Sequence, residues 1–254
     1  MKKLLFFLIM SAFTHANAMN HAMRLKVIRP FFSDVRTITT IKSIMDKIEA
    51  DKLGYEDYAQ RTGLIWSDVS VNTRSPIDII EEFATQKATL VNDRLKIQQP
   101  QSLLKYAALK SIVCAHVLPK MFEAIGAYKP LPEQVYAQFF FQRCSSSKAM
   151  DWHQDPGEDY TPQADYSLVL MLSDQNDPDT GWNGGVFNLR PGLPTDTQTG
   201  PIESIIPRYN QGILFDNQAN SHAVTEVLPL NKTAIRDLVV ITMHKTQLPI
   251  KKDE

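Results

Sequence analysis

In the stretch "MDWHQDPGED", His153 and Asp155 stand one residue apart, in a chain that holds six histidines. Successive side chains of a strand point to opposite faces, so on a strand these two share one face and Trp152 and Gln154 take the other. H-x-D alone is a common triplet, more often a pair of surface polar residues than a site. A third residue shifts the balance: in "NQANSHAVTEV", His222 opens a later apolar run. Two imidazoles and one carboxylate on one side of an ion leave its other positions open. That is the donor set of non-haem Fe(II) sites, where a chelating co-substrate and dioxygen bind together. A structural zinc site would be closed and more often built with cysteine.

Downstream lies a cation for such a co-substrate. Arg236 directly precedes the apolar run "DLVVITMH". A keto acid that chelates iron at one end leaves any second carboxylate to the protein. A guanidinium, always charged, meets a carboxylate through two parallel hydrogen bonds. Lys232, in the turn "LNKTA", is the competing cation and would act as a point charge. Arg236 is favoured because it abuts the strand. His116, within a helical pattern, reads as a packed or surface residue and is left out of the site.

The elements that must position these residues change character along the chain. "RLKVIRPFFSD" reads as a short strand ending at a cap, Ser33 or Asp34. It leads into a helix over "VRTITTIKSIMDKIEADKLG", with Ile38, Ile41, Ile44, Met45 and Ile48 at helical spacing and Gly54 closing it. "SPIDIIEEFATQKATLVNDRL" predicts a second helix with Ser75 as cap and Pro76 at its first position. A third, "SLLKYAALKSIVCAHVLPKMFEAIG", puts Leu103, Leu104, Ala107, Ala108, Ile112 and Val113 on one face, with Pro119 interrupting it. From Glu133 onward the runs "EQVYAQFFFQR", "YSLVLMLS", "GGVFNLRPG", "GILFDN", "HAVTEVLP" and "DLVVITMHK" are short, β-rich and separated by turn residues. The expectation is an α+β chain with a mainly β core, a sandwich or jelly roll, against which the earlier helices pack. Phe139, Phe141, Phe187 and Phe215 are expected to fill that core.

At 254 residues, with 43% apolar and 22% charged content, the chain reads as globular. Lys plus Arg number 27 and Asp plus Glu 28, so no positive excess suggests a nucleic-acid partner. Cys114 and Cys144 make at most one disulfide and sit in no CxxC pattern. "MKKLLFFLIMSAFTHANA" has a basic start, a short apolar centre and an A-x-A ending, which predicts a secretory signal over residues 1–18. Its apolar run is too short for a permanent span. The expected destination is periplasmic or secreted; a start at Met19 or Met23, with a cytoplasmic protein, is the alternative.

In order along the chain, "MDWHQD", "ADYSLVLMLSD", "GWNGGVFNLRPG", "GILFDNQANSHAVTEV" and "IRDLVVITMH" resemble the motifs of the prolyl 4-hydroxylase-like branch of the 2-oxoglutarate and Fe(II)-dependent dioxygenases. The resemblance runs from about Gln134 to His244. It implies a double-stranded β-helix over residues 133–254, supported by a helical region over 19–132. It further implies Fe(II) on His153, Asp155 and His222, and 2-oxoglutarate held by Arg236 or Lys232. The activity implied is hydroxylation of a C–H bond in a peptidyl, prolyl or small-molecule substrate, using O2 and releasing succinate and CO2, with ascorbate as an auxiliary reductant. Two departures stand out. Val186 replaces the acid that relatives often carry in "GGEL" or "GGEF". The tyrosine commonly found ahead of the H-x-D strand is missing, and Tyr136 is the nearest substitute for holding 2-oxoglutarate. The rival readings are a cupin-like jelly-roll metal protein that does not use 2-oxoglutarate, and a non-catalytic β-sandwich.

Overall fold

The structure, a computed structural model, describes residues 25–50, 73–74, 79–84, 89–94, 108–144, 149–155, 163–196 and 200–245. The predicted leader at 1–18, Gly54, Ser75, Pro76, Leu103, Leu104 and Ala107 lie outside them, as do the side chains of Ile48, Phe139 and Phe141.

The chain is mainly β. Its strands are β1 (Leu25–Ile28), β2 (Thr73–Arg74), β3 (Ile79–Ala84), β4 (Thr89–Arg94), β5 (Gln134–Cys144), β6 (Met150–His153), β7 (Tyr166–Met171), β8 (Trp182–Gly184), β9 (Phe187–Pro191), β10 (Glu203–Ile205), β11 (Gln211–Asp216), β12 (Asn220–Val224), β13 (Val227–Pro229) and β14 (Arg236–His244). The larger sheet runs β1-β11-β7-β14-β5-β3-β4, with β2 also on β5. A smaller sheet runs β10-β9-β12-β6, and β13 pairs with β8. The paired strands are antiparallel, which lets each sheet carry different residues on its two faces.

The larger sheet is apolar on both faces. One row, Val169, Met171, Ile213, Phe215 and Leu238, packs with Phe187 and Leu189 of the smaller sheet and with Trp182 and Val227. The alternate row, Leu168, Leu170, Leu214, Val239, Ile241 and Met243, packs against the helices. This explains why β7, β11 and β14 read as nearly continuous apolar runs: both faces are covered.

The first helix, α1 (Arg36–Ala50), follows from its spacing: Ile38, Ile41 and Met45 are buried on one face. Of the two candidate caps, Asp34 is used, its Oδ1 accepting from Arg36 N at 3.0 Å. Between β1 and α1, Phe31 and Phe32 enter the helix-side core, fixed by both amide atoms of Asn210 to the backbone of Phe32. Gly212 makes room for this, since a Cβ there would stand 2.5 Å from the ring of Phe31.

In the other helical region, Leu118 N–H bonds to Val113 O, five residues back, giving a π turn over Val113–Val117 before α2 (Leu118–Gly126). Pro119 lacks the N–H that an uninterrupted ladder would need, so the expected interruption takes this form. The buried face differs by one position from the expectation: Ala108 is exposed, and Leu109, Val113 and Val117 are buried.

The predicted second helix is overturned. Within 75–95 the structure has β3 and β4 as an antiparallel pair, with β3 hydrogen-bonded along β5 from Ile79↔Phe139 to Ala84↔Gln134. Apolar residues at mixed spacing in "IDIIEEFA" suit either period, and the open edge of β5 supplies a ladder that local propensity does not foresee. The region before residue 133 therefore contributes strands as well as helices to the assembly.

Behind β14 lies a buried ion pair. Asp237 points to the helix side, where both its oxygens accept from Arg143, at 2.7 Å from Nε and 2.9 Å from Nη2. Arg143 Nη1 also reaches Asp46 of α1 at 2.8 Å. Removing one partner of a buried pair strands the other's charge, at a cost of ~3–5 kcal/mol. Asp237→Ala is expected to lose that much stability in urea denaturation, and a change under ~1 kcal/mol would show that solvent already screens the pair.

Candidate metal centre

The antiparallel pairing of β12 with β6 sets His222 directly opposite His153. Their rings lie 4.0 Å apart between centroids. Asp155 completes the group: Oδ1 is 3.8 Å from His153 Nε2 and Oδ2 is 3.6 Å from His222 Nε2. One ligand atom from each residue falls within 4.8 Å of the others. The sequence reading thus names three residues that the fold brings together.

The route by which Asp155 arrives differs from the expectation. Strand β6 ends at His153, and Asp155 lies in the bend beyond it. Asn217 holds that bend. Its Oδ1 accepts from Asp155 N at 2.8 Å, while its Nδ2 donates to the carbonyls of Asp155 and Ala164. Gln154, facing away from the histidines, donates from Nε2 to Asn217 O at 2.7 Å and Asn220 O at 3.2 Å. Two buried amide side chains therefore join the turn before His222 to the bend carrying Asp155. Sequence reasoning missed both; the signal available was "DNQAN", a cluster of amides between two apolar runs.

The donor chemistry fits a metal. At 3.6 and 3.8 Å the carboxylate oxygens are too far from the imidazole nitrogens for a hydrogen bond. Two ligand atoms bonded at about 2.1 Å to one ion lie about 3 Å apart at right angles and about 4.2 Å apart when opposed, which brackets these separations. His153 Nδ1 is 2.7 Å from Asp151 O, so the ring donates there and presents Nε2 toward the carboxylate as its ligand atom. His222 is buried, stacked on Phe187 at 5.3 Å and tilted against Phe215 at 4.9 Å. Burial pushes its pKa down to about 4, the Asp155 carboxylate pulls it up, and His153 adds a further downward push. The folded protein presents a neutral imidazole, the form that binds metal.

Of the candidate residues for a second carboxylate, Arg236 is buried at the head of β14, close to Gly185 and on the same face as Leu238. Lys232 is exposed in its turn. Tyr136 pairs with His244 at the opposite end of β14 from Arg236. His116 is exposed on the π turn. Phe187 and Phe215 pack between the sheets as expected, and both also touch His222.

Comparison with solved structures adds the fold. A bsmA homolog from Methylobium petroleophilum PM1 superposes with a TM-score of 0.51 at 15% identity, over 90% of this chain and 92% of that one. A prolyl-4-hydroxylase from Pseudomonas putida gives 0.43 at 14% identity, over 89% and 95%. An oxidoreductase of the 2OG-Fe(II) oxygenase family from Burkholderia pseudomallei gives 0.44 at 15%, over 79% and 82%. The chain has the fold of the first. No protein-family model and no curated protein matches it.

Two outcomes follow. His153→Ala and His222→Ala should each weaken Fe(II) binding by more than the roughly 10–100-fold typical of losing a residue that only orients a ligand. Anaerobic titration reads this, and an unchanged affinity would exclude a metal role. The second concerns pH. Because the folded pKa of His222 lies below its usual 6.5, the unfolded chain takes up a proton between pH 6.5 and 4 that the fold refuses. That contribution is intact above pH 6.5 and is lost as pH falls through the window, by at most ~3 kcal/mol. Urea unfolding of the metal-free protein at several pH values should show the slope, and His222→Gln should flatten it.

Proposed function

We propose that the protein is a 2-oxoglutarate- and Fe(II)-dependent dioxygenase that hydroxylates a C–H bond. The observation that carries this reading is the convergence of His153, Asp155 and His222, with a buried Arg236 on the inward face of the same core. In this reading the strands after residue 133 form a double-stranded β-helix, and residues 19–132 support it, with β1–β4 extending the larger sheet. Bound iron with 2-oxoglutarate and O2 would supply the oxidising chemistry and release succinate and CO2. The chain's own work is binding and shielding. His153 and His222 offer Nε2, Asp155 offers one carboxylate oxygen, and Phe187, Phe215 and Leu238 keep the inner side of the site apolar. Arg236 takes the distal carboxylate through paired hydrogen bonds. No general base is required.

A cupin-like metal protein without 2-oxoglutarate would keep the three ligands but give Arg236 no task. The substrate class carried by this reading is a peptidyl residue, proline among them, or a small metabolite. The leader over 1–18 supports export to a periplasmic or extracellular setting. Among the described residues no helix is long and apolar enough to cross a membrane.

The test is succinate formation from 2-oxoglutarate with Fe(II) and O2. Arg236→Ala should raise the KM for 2-oxoglutarate by roughly 10–100-fold, the worth of hydrogen bonds to a charged group, while Lys232→Ala leaves it unchanged. Equal turnover and an equal KM in Arg236→Ala and the unaltered protein would remove the case for Arg236, and absence of succinate from the unaltered protein would remove the case for 2-oxoglutarate. Export is checked by sequencing the mature N-terminus, expected at Met19; an intact Met1 on the mature protein would defeat it.

A further inference from the structure

A dicarboxylate held by one guanidinium still has oxygens to satisfy, and the tyrosine expected to help is elsewhere. Tyr136 sits opposite His244, whereas Arg236 sits opposite Cys144. Those positions are eight strand steps apart, about 26 Å at 3.3 Å per residue. Tyr136 therefore cannot share a small anion with Arg236.

Another donor is nearer. Trp182 opens β8 and is 1% exposed. Its Nε1–H has no hydrogen-bond partner among the described residues, although a buried indole N–H usually finds one. The indole faces a small space left by Gly185. That residue has φ +65°, and a Cβ on it would stand 3.2 Å from Trp182 Nε1, 3.2 Å from Val227 Cγ2 and 3.5 Å from Arg236 Nε. The indole N–H and the guanidinium Nε thus lie around one position the size of a Cβ, above backbone that lacks a side chain.

This position is held in place and belongs to the inter-sheet cluster that includes Phe187 and Phe215. Gly185 N donates to Glu226 O at 2.9 Å, Trp182 N donates to Gln175 O at 3.1 Å, and Trp182 pairs with Pro229 across β8 and β13. Two residues beyond Gly185, roughly 7 Å of extended chain, the ring of Phe187 stacks on His222.

We propose that Trp182 is a co-substrate-binding residue. Its indole N–H donates to one oxygen of the distal carboxylate of 2-oxoglutarate, adding a third donor to the paired hydrogen bonds from Arg236, beside the bare backbone of Gly185. This rests on the function proposed above.

The experiment compares 2-oxoglutarate with pyruvate, which keeps the chelating keto acid and lacks the distal carboxylate. With Zn(II) loaded as a diamagnetic substitute, calorimetric titration should show Trp182→Phe weakening 2-oxoglutarate binding about 10-fold, the worth of one hydrogen bond to a charged group. Pyruvate affinity, Zn(II) affinity and melting temperature should stay near those of the unaltered protein. In the unaltered protein, the indole N–H resonance of Trp182 should shift downfield on adding 2-oxoglutarate and stay put with pyruvate. That signal keeps the test decisive should the variant fail to fold. Unaltered 2-oxoglutarate affinity in the variant, equal losses for both keto acids, or an indole resonance blind to 2-oxoglutarate would each overturn the assignment to Trp182. A Zn(II)-loaded unaltered protein that binds no 2-oxoglutarate would defeat the proposed function itself, and this assignment with it.

Discussion

The register of β12 against β6 is the constraint on which the centre depends. His222 opposes His153 because those strands pair antiparallel at that step. A slip of one residue would turn His222 to the other face and bring Ser221 or Ala223 inward. The pairing is irregular just past this point, between His222 and Val224, and bulges of this sort tend to re-aim side chains beside functional sites. What resists slippage is the pair of buried amides. Gln154 and Asn217 fasten the bend after His153 to the turn before His222, so neither strand shifts without losing several buried hydrogen bonds at once.

Strand β14 does the same job on the other side by using its two faces for different things. Arg236 faces between the sheets and Asp237 faces the helices. The bidentate contact from Arg143 to Asp237, together with Asp46 of α1, anchors the start of the strand to the helical layer. Further along, Val239, Ile241 and Met243 bury themselves among α1 and α2. A buried charge is expensive unless paired, so this network adds little net stability over an apolar contact. Its use is positional: it fixes where the head of β14 begins, and so where the guanidinium next door is presented.

The sequence carried the site and much of the core, and lost what depends on long-range pairing. Strands β5, β7, β9, β11 and β14 were legible because each is an apolar run bounded by turn residues, and α1 because Ile38, Ile41 and Met45 recur at helical spacing. The run "HAVTEVLP" was read as one strand, yet it divides at Thr225 and Glu226 and serves two sheets. Residues 79–94 were read as helix, because "IDIIEEFATQKATL" holds no local mark that β5 will offer it an edge. Asp155 was placed correctly for a reason that is only half right. Alternation along a strand stops at His153, and Asn217, distant in sequence, does the rest. Trp182 stood in a quoted motif, but its importance is a matter of what surrounds its nitrogen, and composition says nothing about that.

Exposure across the three histidine and aspartate side chains is graded, and the grading gives the centre a direction. His153 is 26% exposed, Asp155 14% and His222 5%. An ion among them would therefore meet solvent past His153 and apolar side chains past His222. A charged, chelating molecule on the inner side has Phe187, Phe215 and Leu238 around its chain, and needs donors at its far end. In a poorly hydrated setting those donors are worth more than at the surface. The outer side, where His153 and Asp155 reach water, leaves room for a target molecule to approach without displacing what sits behind. In the proposed oxygenase, co-substrate and target would therefore approach from different sides, set by which imidazole the aromatic side chains cover.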